Sequence, residues 1–185
     1  MQEVLTHPAA PVSGSGKPLI SARRIARRVH HLGREISETY RDLDEPLVLV
    51  VVLKGAAVFA SDLLRSLSIP AELEFVRASS YGSGTHGSGR VKFAHLVEGP
   101  LTGRHVLLVE DIVDSGRTIN AIIKQLKRRG PASIRLAALL DRPARREVPV
   151  DVHFTGFVIP DRFVIGYGLD YAGLYRELPS IYSLG

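Results

Sequence analysis

The feature that most constrains the fold is an unbroken run of seven apolar residues, residues 47–53, directly after Pro46. A continuous β-branched run of this kind, without alternation, is typical of a strand that is buried on both faces. It is far shorter than the ~20 apolar residues that a membrane span requires. The run therefore predicts a central strand of a sheet that is covered by helices on both sides.

Helical periodicity precedes and follows this strand. Apolar residues recur every three or four positions from Ser21, which is placed to cap a helix, to Tyr40, and the same spacing returns over residues 56–67. A third helix is predicted over residues 118–129, ending at Gly130. The other predicted strands are residues 71–78, 106–109, 134–140, 152–158 and 163–165. Alternating elements of this kind predict an α/β fold with a mostly parallel twisted sheet flanked by helices, with ligands bound outside the carboxyl ends of the strands.

Length and composition set the domain organisation. A chain of 185 residues with 45% hydrophobic and 23% charged residues matches one ordinary globular domain. The absence of cysteine excludes a disulfide framework, a zinc-thiolate site and a cysteine nucleophile, and the reducing cytoplasm is the expected location. Residues 1–17 lack the pattern of a signal peptide and are rich in Pro, Ser and Gly. We expect them to be a disordered extension, with a single domain over residues 18–185.

Basic residues outnumber acidic ones, 24 against 19, which gives a net charge of +5 with neutral histidines. Both basic stretches overlap predicted helices whose apolar positions lie on another face, so they are the solvated sides of helices or a surface that steers a polyanion or a phosphate-bearing ligand. Their members are Arg23, Arg24, Arg27, Arg28 and Arg34, then Lys124, Lys127, Arg128, Arg129, Arg135, Arg142, Arg145 and Arg146.

The segment with the most chemical information is residues 109–118, VEDIVDSGRT, between a predicted strand and a predicted helix. Its three carboxylates, Glu110, Asp111 and Asp114, repel one another unless a metal, hydroxyl groups or a cation offsets the repulsion. The following Ser-Gly-Arg-Thr supplies backbone N–H groups at a helix start, two hydroxyls and a guanidinium, which together can bind phosphate. Carboxylates beside a phosphate site indicate a phosphorylated sugar. The alternative is a helix cap made by Asp114 and Ser115, with a solvated acidic pair before it.

This segment resembles the phosphoribosyl-pyrophosphate motif of the type I phosphoribosyltransferases. Three further segments resemble the purine branch of that family, the hypoxanthine (hypoxanthine-guanine) phosphoribosyltransferases: residues 52–56, 79–85 and 157–171. The resemblance implies the type I fold with a small hood built from the terminal segments. It implies a purine salvage enzyme that transfers the 5-phosphoribosyl group from phosphoribosyl pyrophosphate to hypoxanthine, and to guanine, giving IMP, or GMP, and pyrophosphate. It also implies Mg²⁺ as cofactor and a homodimer or homotetramer, with no membrane or nucleic-acid partner.

The resemblance assigns roles within the acidic segment. Glu110 and Asp111 match the acids that bind the sugar hydroxyls directly or through Mg²⁺, and hard oxygen ligands suit both. Asp114 matches the catalytic acceptor of a proton from a ring nitrogen of the purine. The residues that would hold the 5′-phosphate are Asp114, Ser115, Gly116, Arg117 and Thr118.

Two other segments would bind the leaving group and cover the site. Lys54 and Gly55 match the pyrophosphate loop, where an unusual backbone turn presents amide groups; the alternative for Lys54 is a lysine that only marks the end of a strand. Ser80 and Tyr81 match the start of a mobile glycine-rich lid, which keeps water from the reactive sugar.

The C-terminal segment would bind the base. Phe163 would stack on the purine, although such a residue alone is typical of a core, and the Val164 backbone would meet the base edge. Asp170 would contact a second Mg²⁺ or the side of the base, and Arg176 would bind pyrophosphate. Arg142 stands where the family has a lysine that donates to the exocyclic oxygen of the purine, and its planar fork is not equivalent to an ammonium group.

Two other functions remain open from the sequence. One is a nucleotide-sensing, RNA-binding regulator on the same fold, which the basic stretches permit. The other is a related enzyme that prefers xanthine or guanine, because Arg142 leaves the choice of base undetermined.

Overall fold

The computed structural model describes residues 17–80 and 91–184. Its helices are α1 (Ala22–Thr39), α2 (Ala57–Ser66) and α3 (Arg117–Lys127), with one 3₁₀ turn at Pro143–Arg145. Its strands are β1 (Leu47–Val52), β2 (Ala71–Ser80), β3 (Val91–His95), β4 (His105–Val113), β5 (Ser133–Asp141), β6 (Phe154–Val158), β7 (Phe163–Ile165) and β8 (Tyr182–Leu184). Within those two ranges, no helix is both long enough and apolar enough to cross a membrane.

Six strands form one sheet in the order β3-β2-β1-β4-β5-β6. All neighbouring pairs are parallel except β2 with β3. Strand β1 lies inside the sheet, and Val50 pairs with Glu74 of β2 on one side and with Leu108 of β4 on the other. Every residue of β1 is buried, so the predicted mostly parallel sheet and its buried strand are both confirmed.

Alternate residues of β1 belong to two separate cores, one on each face of the sheet. Leu47, Leu49 and Val51 pack with apolar residues of α1 and α2, while Val48, Val50 and Val52 pack with those of α3. Side chains of successive strand residues point to opposite faces, which explains why a run without polar residues is needed here.

Strand β4 extends four residues further than the sequence pattern predicts, to Val113. Glu110 and Asp111 therefore lie within the strand and not after it. Neighbouring β5 runs alongside to Asp141 and pairs with Val113 in register, and these ladder bonds hold the acidic residues in extended backbone. Strand β6 begins at Phe154, later than predicted, and β2 continues to Ser80.

Strands β3 and β8 were not predicted from the sequence. Strand β8 pairs antiparallel with β7, and next to it Ile20 forms a bridge with Ile181. The small second sheet is thus made by β7 and β8 of the C-terminal segment, and the bridge from Ile20 joins the N-terminal segment to it, in agreement with a hood built from the terminal segments.

The start of α1 is capped differently from the prediction. Ser21 occupies the capping position, but its hydroxyl makes no capping hydrogen bond. Instead the backbone N–H of Ala22 donates to Oγ of Ser180 at 2.9 Å, a bond that joins α1 to the C-terminal segment.

The third helix, α3, ends at Lys127, two residues before the predicted end.

The basic face of α1 lies beside β6, the outermost strand of the sheet. The Arg28 side chain donates to the carbonyl of Thr155 at 2.6 Å and to that of Gly156 at 3.1 Å. The Arg24 guanidinium lies 5.7 Å from the centre of the Phe157 ring. Part of this basic stretch therefore contacts the sheet of its own chain.

Candidate active site

A cavity of about 400 Å³ opens at the carboxyl end of the central strands. Four segments contribute its walls: the β1–α2 loop, the end of β4, the β4–α3 loop with the start of α3, and the C-terminal segment. The predicted site residues that line it are Lys54, Gly55, Glu110, Asp111, Asp114, Ser115, Gly116, Thr118, Asp170 and Arg176. Residues spread over more than 120 positions of sequence are thereby brought to one place.

The acidic pair forms the floor of this cavity. Glu110 is 7% exposed, and its Oε1 accepts the backbone N–H of Asp111 at 3.0 Å. Asp111 Oδ1 accepts the N–H of Ile112 at 2.8 Å. Burial, together with the charge of neighbouring Asp111, raises the pKa of Glu110 well above its ordinary value, and burial also raises the pKa of Asp111. The pair would be stabilised in its ionised form by a cation or by hydroxyl donors.

The donor set of this floor fits a hard divalent cation that is bound by few protein ligands. Two adjacent carboxylates supply the oxygen atoms that such ions prefer. Across the described part of the chain, no group of three or more His, Cys, Asp or Glu residues could hold a metal ion by itself. A magnesium ion commonly keeps waters and takes ligand phosphates beside one or two carboxylates, and that pattern matches this pair.

The β1–α2 loop lies directly against Asp111. A Cβ placed on Gly55 would fall 1.6 Å from Oδ2 of Asp111, so only glycine leaves room for that carboxylate. The peptide bond between Leu53 and Lys54 is cis, and Leu53 N–H donates to the Val76 carbonyl at 2.8 Å. Lys54 is exposed and lines the cavity. An acidic and a basic group therefore face the same space.

The β4–α3 loop turns sharply at Gly116. This residue has φ +81°, and a Cβ there would lie 2.5 Å from the Val148 carbonyl oxygen. The Ser115 carbonyl accepts the N–H groups of Glu147 at 3.0 Å and of Val148 at 2.9 Å, which fixes the loop against the β5–β6 connection. The first N–H groups of α3, next to Thr118, have no partners within the helix, so the loop presents donors suited to an anion.

The Arg117 side chain points to a different partner from the one predicted. Its Nε and Nη2 lie 2.6 and 2.5 Å from Oε2 of Glu147, and the guanidinium does not line the cavity. Both side chains of this pair are half-exposed. The role of Arg117 as a phosphate ligand stays a prediction.

Asp114 has one edge in the cavity and is held from behind by Arg142. Nε and Nη2 of Arg142 donate to Oδ1 and Oδ2 of Asp114, which makes a bidentate ion pair. The Arg142 side chain is 6% exposed and does not line the cavity, whereas that of Asp114 is 38% exposed and does. The hydrogen bonds that the guanidinium donates to Asp114 raise the pKa of Arg142 above its ordinary value.

The C-terminal segment contributes a second ion pair. Arg176 Nη2 lies 2.6 Å from Oδ1 of Asp170, whose other oxygen accepts the N–H of Gly173 at 2.8 Å. Arg176 Nη1 also donates to the Gly168 carbonyl at 2.5 Å. Asp170 is thus bonded through both oxygens in this structure, and its role as a metal ligand stays a prediction.

The predicted base-binding residues lie outside this cavity. Phe163 is 48% exposed and meets Tyr171 edge to face, with ring centroids 5.9 Å apart. Val164 is buried in the core below. The backbone of Ser80 ends β2, and Tyr81 with the rest of the predicted lid to residue 89 lies outside the described residues.

Three residues that contact predicted site residues were not themselves predicted from the sequence. Glu147 binds Arg117, Tyr171 packs on Phe163, and the Arg162 carbonyl accepts from Arg142. Tyr171 lies in the same segment as Phe163 and could have been proposed as its aromatic neighbour. The others depend on how a loop folds back, and no sequence spacing encodes that.

Comparison with known proteins agrees with this geometry. Residues 18–172 match the phosphoribosyl transferase domain family. The chain is 45% identical over 163 residues to a hypoxanthine phosphoribosyltransferase of Salmonella typhimurium, covering 88% of this chain and 92% of that one. It is 44% identical over 170 residues to a hypoxanthine-guanine phosphoribosyltransferase of Mycobacterium avium, covering 90% and 84%. The crystal structure of a hypoxanthine phosphoribosyltransferase from Staphylococcus aureus superposes with a TM-score of 0.86 at 36% identity, covering 92% and 91%.

Proposed function

Because this chain belongs to the phosphoribosyltransferase family, and within it to the hypoxanthine phosphoribosyltransferases, we propose that it is a purine salvage enzyme. It transfers the 5-phosphoribosyl group from phosphoribosyl pyrophosphate to hypoxanthine and guanine, releasing pyrophosphate. The relatives named above are enzymes, and none of them supports the RNA-binding regulator as an alternative.

One observation carries this proposal: a single cavity combines a buried acidic pair, an anion-binding loop and two cationic side chains. The acidic pair lies at the end of β4, and the anion-binding loop follows it before α3. This order places a site for the sugar next to a site for the 5′-phosphate of the same substrate. Lys54 and Arg176 come from other segments and supply positive charge for a pyrophosphate group. The cavity thus has separate places for each charged part of phosphoribosyl pyrophosphate.

Binding of the 5′-phosphate falls to the β4–α3 loop. Ser115, Gly116 and Thr118 offer backbone N–H groups and hydroxyls at the start of α3, where the helix dipole favours an anion. Contacts between the loop and the β5–β6 connection hold these donors in place before the substrate arrives. A fixed set of donors reduces the entropy lost on binding.

A divalent cation, which we propose to be Mg²⁺, would be held by Glu110 and Asp111 together with oxygens of the substrate. When bound, it would offset the negative charge of the acidic pair and of the pyrophosphate. Lys54 and Arg176 stabilise the departing pyrophosphate as negative charge accumulates on it. The sugar passes through an oxocarbenium-like state, so positioning and charge supply most of the acceleration.

Asp114 accepts the proton that the incoming base loses from a ring nitrogen. Its exposed edge faces the cavity beside the phosphate loop, within reach of a base that approaches the sugar. Phe163, half-exposed at the edge of the hood, offers a ring face to that base.

The test is direct turnover with each purine base. Purified protein is mixed with phosphoribosyl pyrophosphate and Mg²⁺, and hypoxanthine, guanine, xanthine and adenine are offered separately while nucleotide formation is followed by absorbance. We expect turnover with hypoxanthine and guanine. Faster turnover with xanthine would change the assigned base, and no turnover with any base would contradict the enzyme assignment.

Assembly and location extend the proposal. We propose a homodimer or homotetramer in the cytoplasm, with no membrane or nucleic-acid partner. Light scattering during size-exclusion chromatography measures the mass against the 20.2 kDa of one chain. A mass of one chain would contradict the proposed assembly.

A further inference from the structure

Arg142 uses all three of its guanidinium nitrogens on acceptors of its own chain. Nε and Nη2 bind the two oxygens of Asp114. Nη1 donates to the Arg162 carbonyl at 2.5 Å and lies 3.6 Å from Oδ1 of Asp161. The backbone N–H of Arg142 donates to the Val113 carbonyl at 3.1 Å, so main chain and side chain are both fixed.

The arrangement places Arg142 behind Asp114, with its side chain almost completely buried. Asp114 lines the cavity and Arg142 does not. The guanidinium is 6% exposed and bonded through each of its three nitrogens, which leaves one N–H on Nη1 and one on Nη2, in a side chain that does not line the cavity. Turning the guanidinium toward an exocyclic oxygen would weaken this ion pair inside the protein, which is costly for a buried cation.

The same guanidinium connects two parts of the site. Its planar fork fixes both the position and the plane of the Asp114 carboxylate, as a single ammonium group could not. Its third nitrogen holds the carbonyl that directly precedes Phe163. The proton acceptor and the base-stacking segment are therefore tied to one rigid group.

We propose that Arg142 is a positioning residue that acts on the reaction through Asp114, and that it does not bind the purine. This inference rests on the proposed function. Arg142 aligns the Asp114 carboxylate with a base that stacks on Phe163. Selection of 6-oxopurines then depends on other groups, and the loss of Arg142 affects the chemical step more than the binding of the base.

The experiment is a double-mutant cycle of Arg142→Gln and Asp114→Asn, with hypoxanthine as substrate. Misplacement of a catalytic group costs up to about 10²-fold in rate, so we expect Arg142→Gln alone to lower kcat by about 10- to 100-fold with KM for hypoxanthine nearly unchanged. In the Asp114→Asn background, the same change should lower kcat by less than ~2-fold, since residues that act as a unit are not additive. Full multiplication of the two effects would overturn the proposal.

A second measurement addresses the base directly. KM for hypoxanthine and the inhibition constant of unsubstituted purine, which lacks the exocyclic oxygen, are compared in wild type and in Arg142→Gln. We expect their ratio to stay constant. If Arg142 bound the exocyclic oxygen, the preference for hypoxanthine would fall by about tenfold or more, because a hydrogen bond from a charged group would be lost.

Two further arms keep the result clear. Arg145→Gln is the matched control, because Arg145 is exposed and binds the same Asp161 at 2.5 Å, and we expect wild-type kcat and KM. If Arg142→Gln does not fold, Arg142→Met replaces it, keeping most of the side-chain length without any donor, and the same outcomes decide. Wild-type turnover establishes the enzyme independently of the cycle; its absence would overturn both proposals.

Discussion

The two sides of the cavity are built by different means. We call residues 110–118, which include the acidic pair at the floor of the cavity, the acidic wall. It continues a strand that is paired on one side to β1 and on the other to β5, and it passes directly into α3. The hood segment, residues 163–176, has only a two-stranded pairing and a series of turns. In it Tyr167, Ala172 and Tyr175 have positive φ values of 51°, 52° and 75°. The sheet therefore fixes the wall, whereas local turns and ion pairs shape the hood.

We expect the two regions, which differ in how they are held, to have different roles in the site. The wall holds charged groups that must stay in fixed positions, since preorganised charge is what stabilises a transition state. The hood carries the exposed ring of Phe163, which we propose to stack on the base. Left-handed conformations of non-glycine residues cost energy and persist where the surroundings enforce them. Changes in the wall should thus affect the reaction most, and changes in the hood should affect stability first.

The largest expected effect is at the proton acceptor of the wall. Asp114→Asn keeps the shape of the side chain and removes its basicity, so kcat for hypoxanthine at neutral pH should fall by about 10²- to 10⁴-fold, the usual contribution of a general base. Steady-state kinetics measures the loss, and nucleotide binding by calorimetry checks that the site is intact. Unchanged turnover would show that another group accepts the proton.

The next effect is at the turn of the wall. Gly116→Ala places a Cβ 2.5 Å from the Val148 carbonyl at φ +81°, which should cost about 1–3 kcal/mol and raise KM for phosphoribosyl pyrophosphate. Gly103→Ala is the control, because Gly103 has φ +74° with nothing within 4 Å of the added Cβ. Denaturant unfolding and kinetics are measured for both. If KM for phosphoribosyl pyrophosphate is the same in Gly116→Ala as in the wild type, the geometry of this loop does not determine substrate binding.

A pH dependence should follow from the buried acids. The pKa of Glu110 is raised in the folded state, so the folded protein binds more protons than the unfolded one, and stability falls as pH rises from about 4.5 through the raised pKa. Glu110→Gln removes this loss, which is at most about 1.4 kcal/mol per pH unit for one group. Melting temperatures are measured at several pH values with a chelator present. We expect that of Glu110→Gln to exceed that of the wild type by an amount that grows as the pH rises.

The matched control for that measurement is Glu98→Gln, the same change at an exposed residue. It should follow the wild-type curve at every pH. Added Mg²⁺ should stabilise the wild type more at high pH than at low pH, because it binds the ionised pair. Parallel curves for all three proteins would contradict the linkage.

In the hood, the expected effect is on stability. The Tyr167 hydroxyl donates to Oδ2 of Asp62 at 2.5 Å, and burial with this bond raises the pKa of Tyr167 far above its usual range. Tyr167→Phe should cost about 1–2 kcal/mol, measured by denaturant unfolding, with kcat changed little. Tyr171→Phe, which removes a hydroxyl from an exposed ring, should be neutral. A clear loss of kcat in Tyr167→Phe would contradict this and would show that the hood must also be rigid for the reaction.

The smallest effect should come from the N-terminus. We propose residues 18–185 as the functional domain, so deletion of residues 1–17 should leave kcat, KM and the melting temperature unchanged. The full chain is the control in each assay. A drop in turnover on truncation would move the domain boundary.

The wall was predictable because local pattern encodes it: an apolar strand, three acids and a helix start lie within thirteen consecutive positions, residues 106–118. The Asp114–Arg142 pair was not predictable. Both residues directly follow Val113 and Asp141, which are partners across β4 and β5, but the register of two parallel strands cannot be read from either strand alone. Of the hood, the residue pattern predicted only β7, and the arrangement came from the family resemblance, since β8 has three residues and pairs with a strand of three. Periodicity carries no signal at that length.

The contact of Arg28 with β6 also bears on how this chain avoids association with itself in unintended ways. An outermost strand presents unpaired carbonyl and N–H groups, which invite a strand from another molecule to add on. The Arg28 guanidinium donates to the carbonyls of two successive residues of this strand, Thr155 and Gly156, and places a positive charge at the strand. We therefore expect the basic helix face, which suggests a polyanion ligand in the sequence, also to hinder edge-to-edge association at β6.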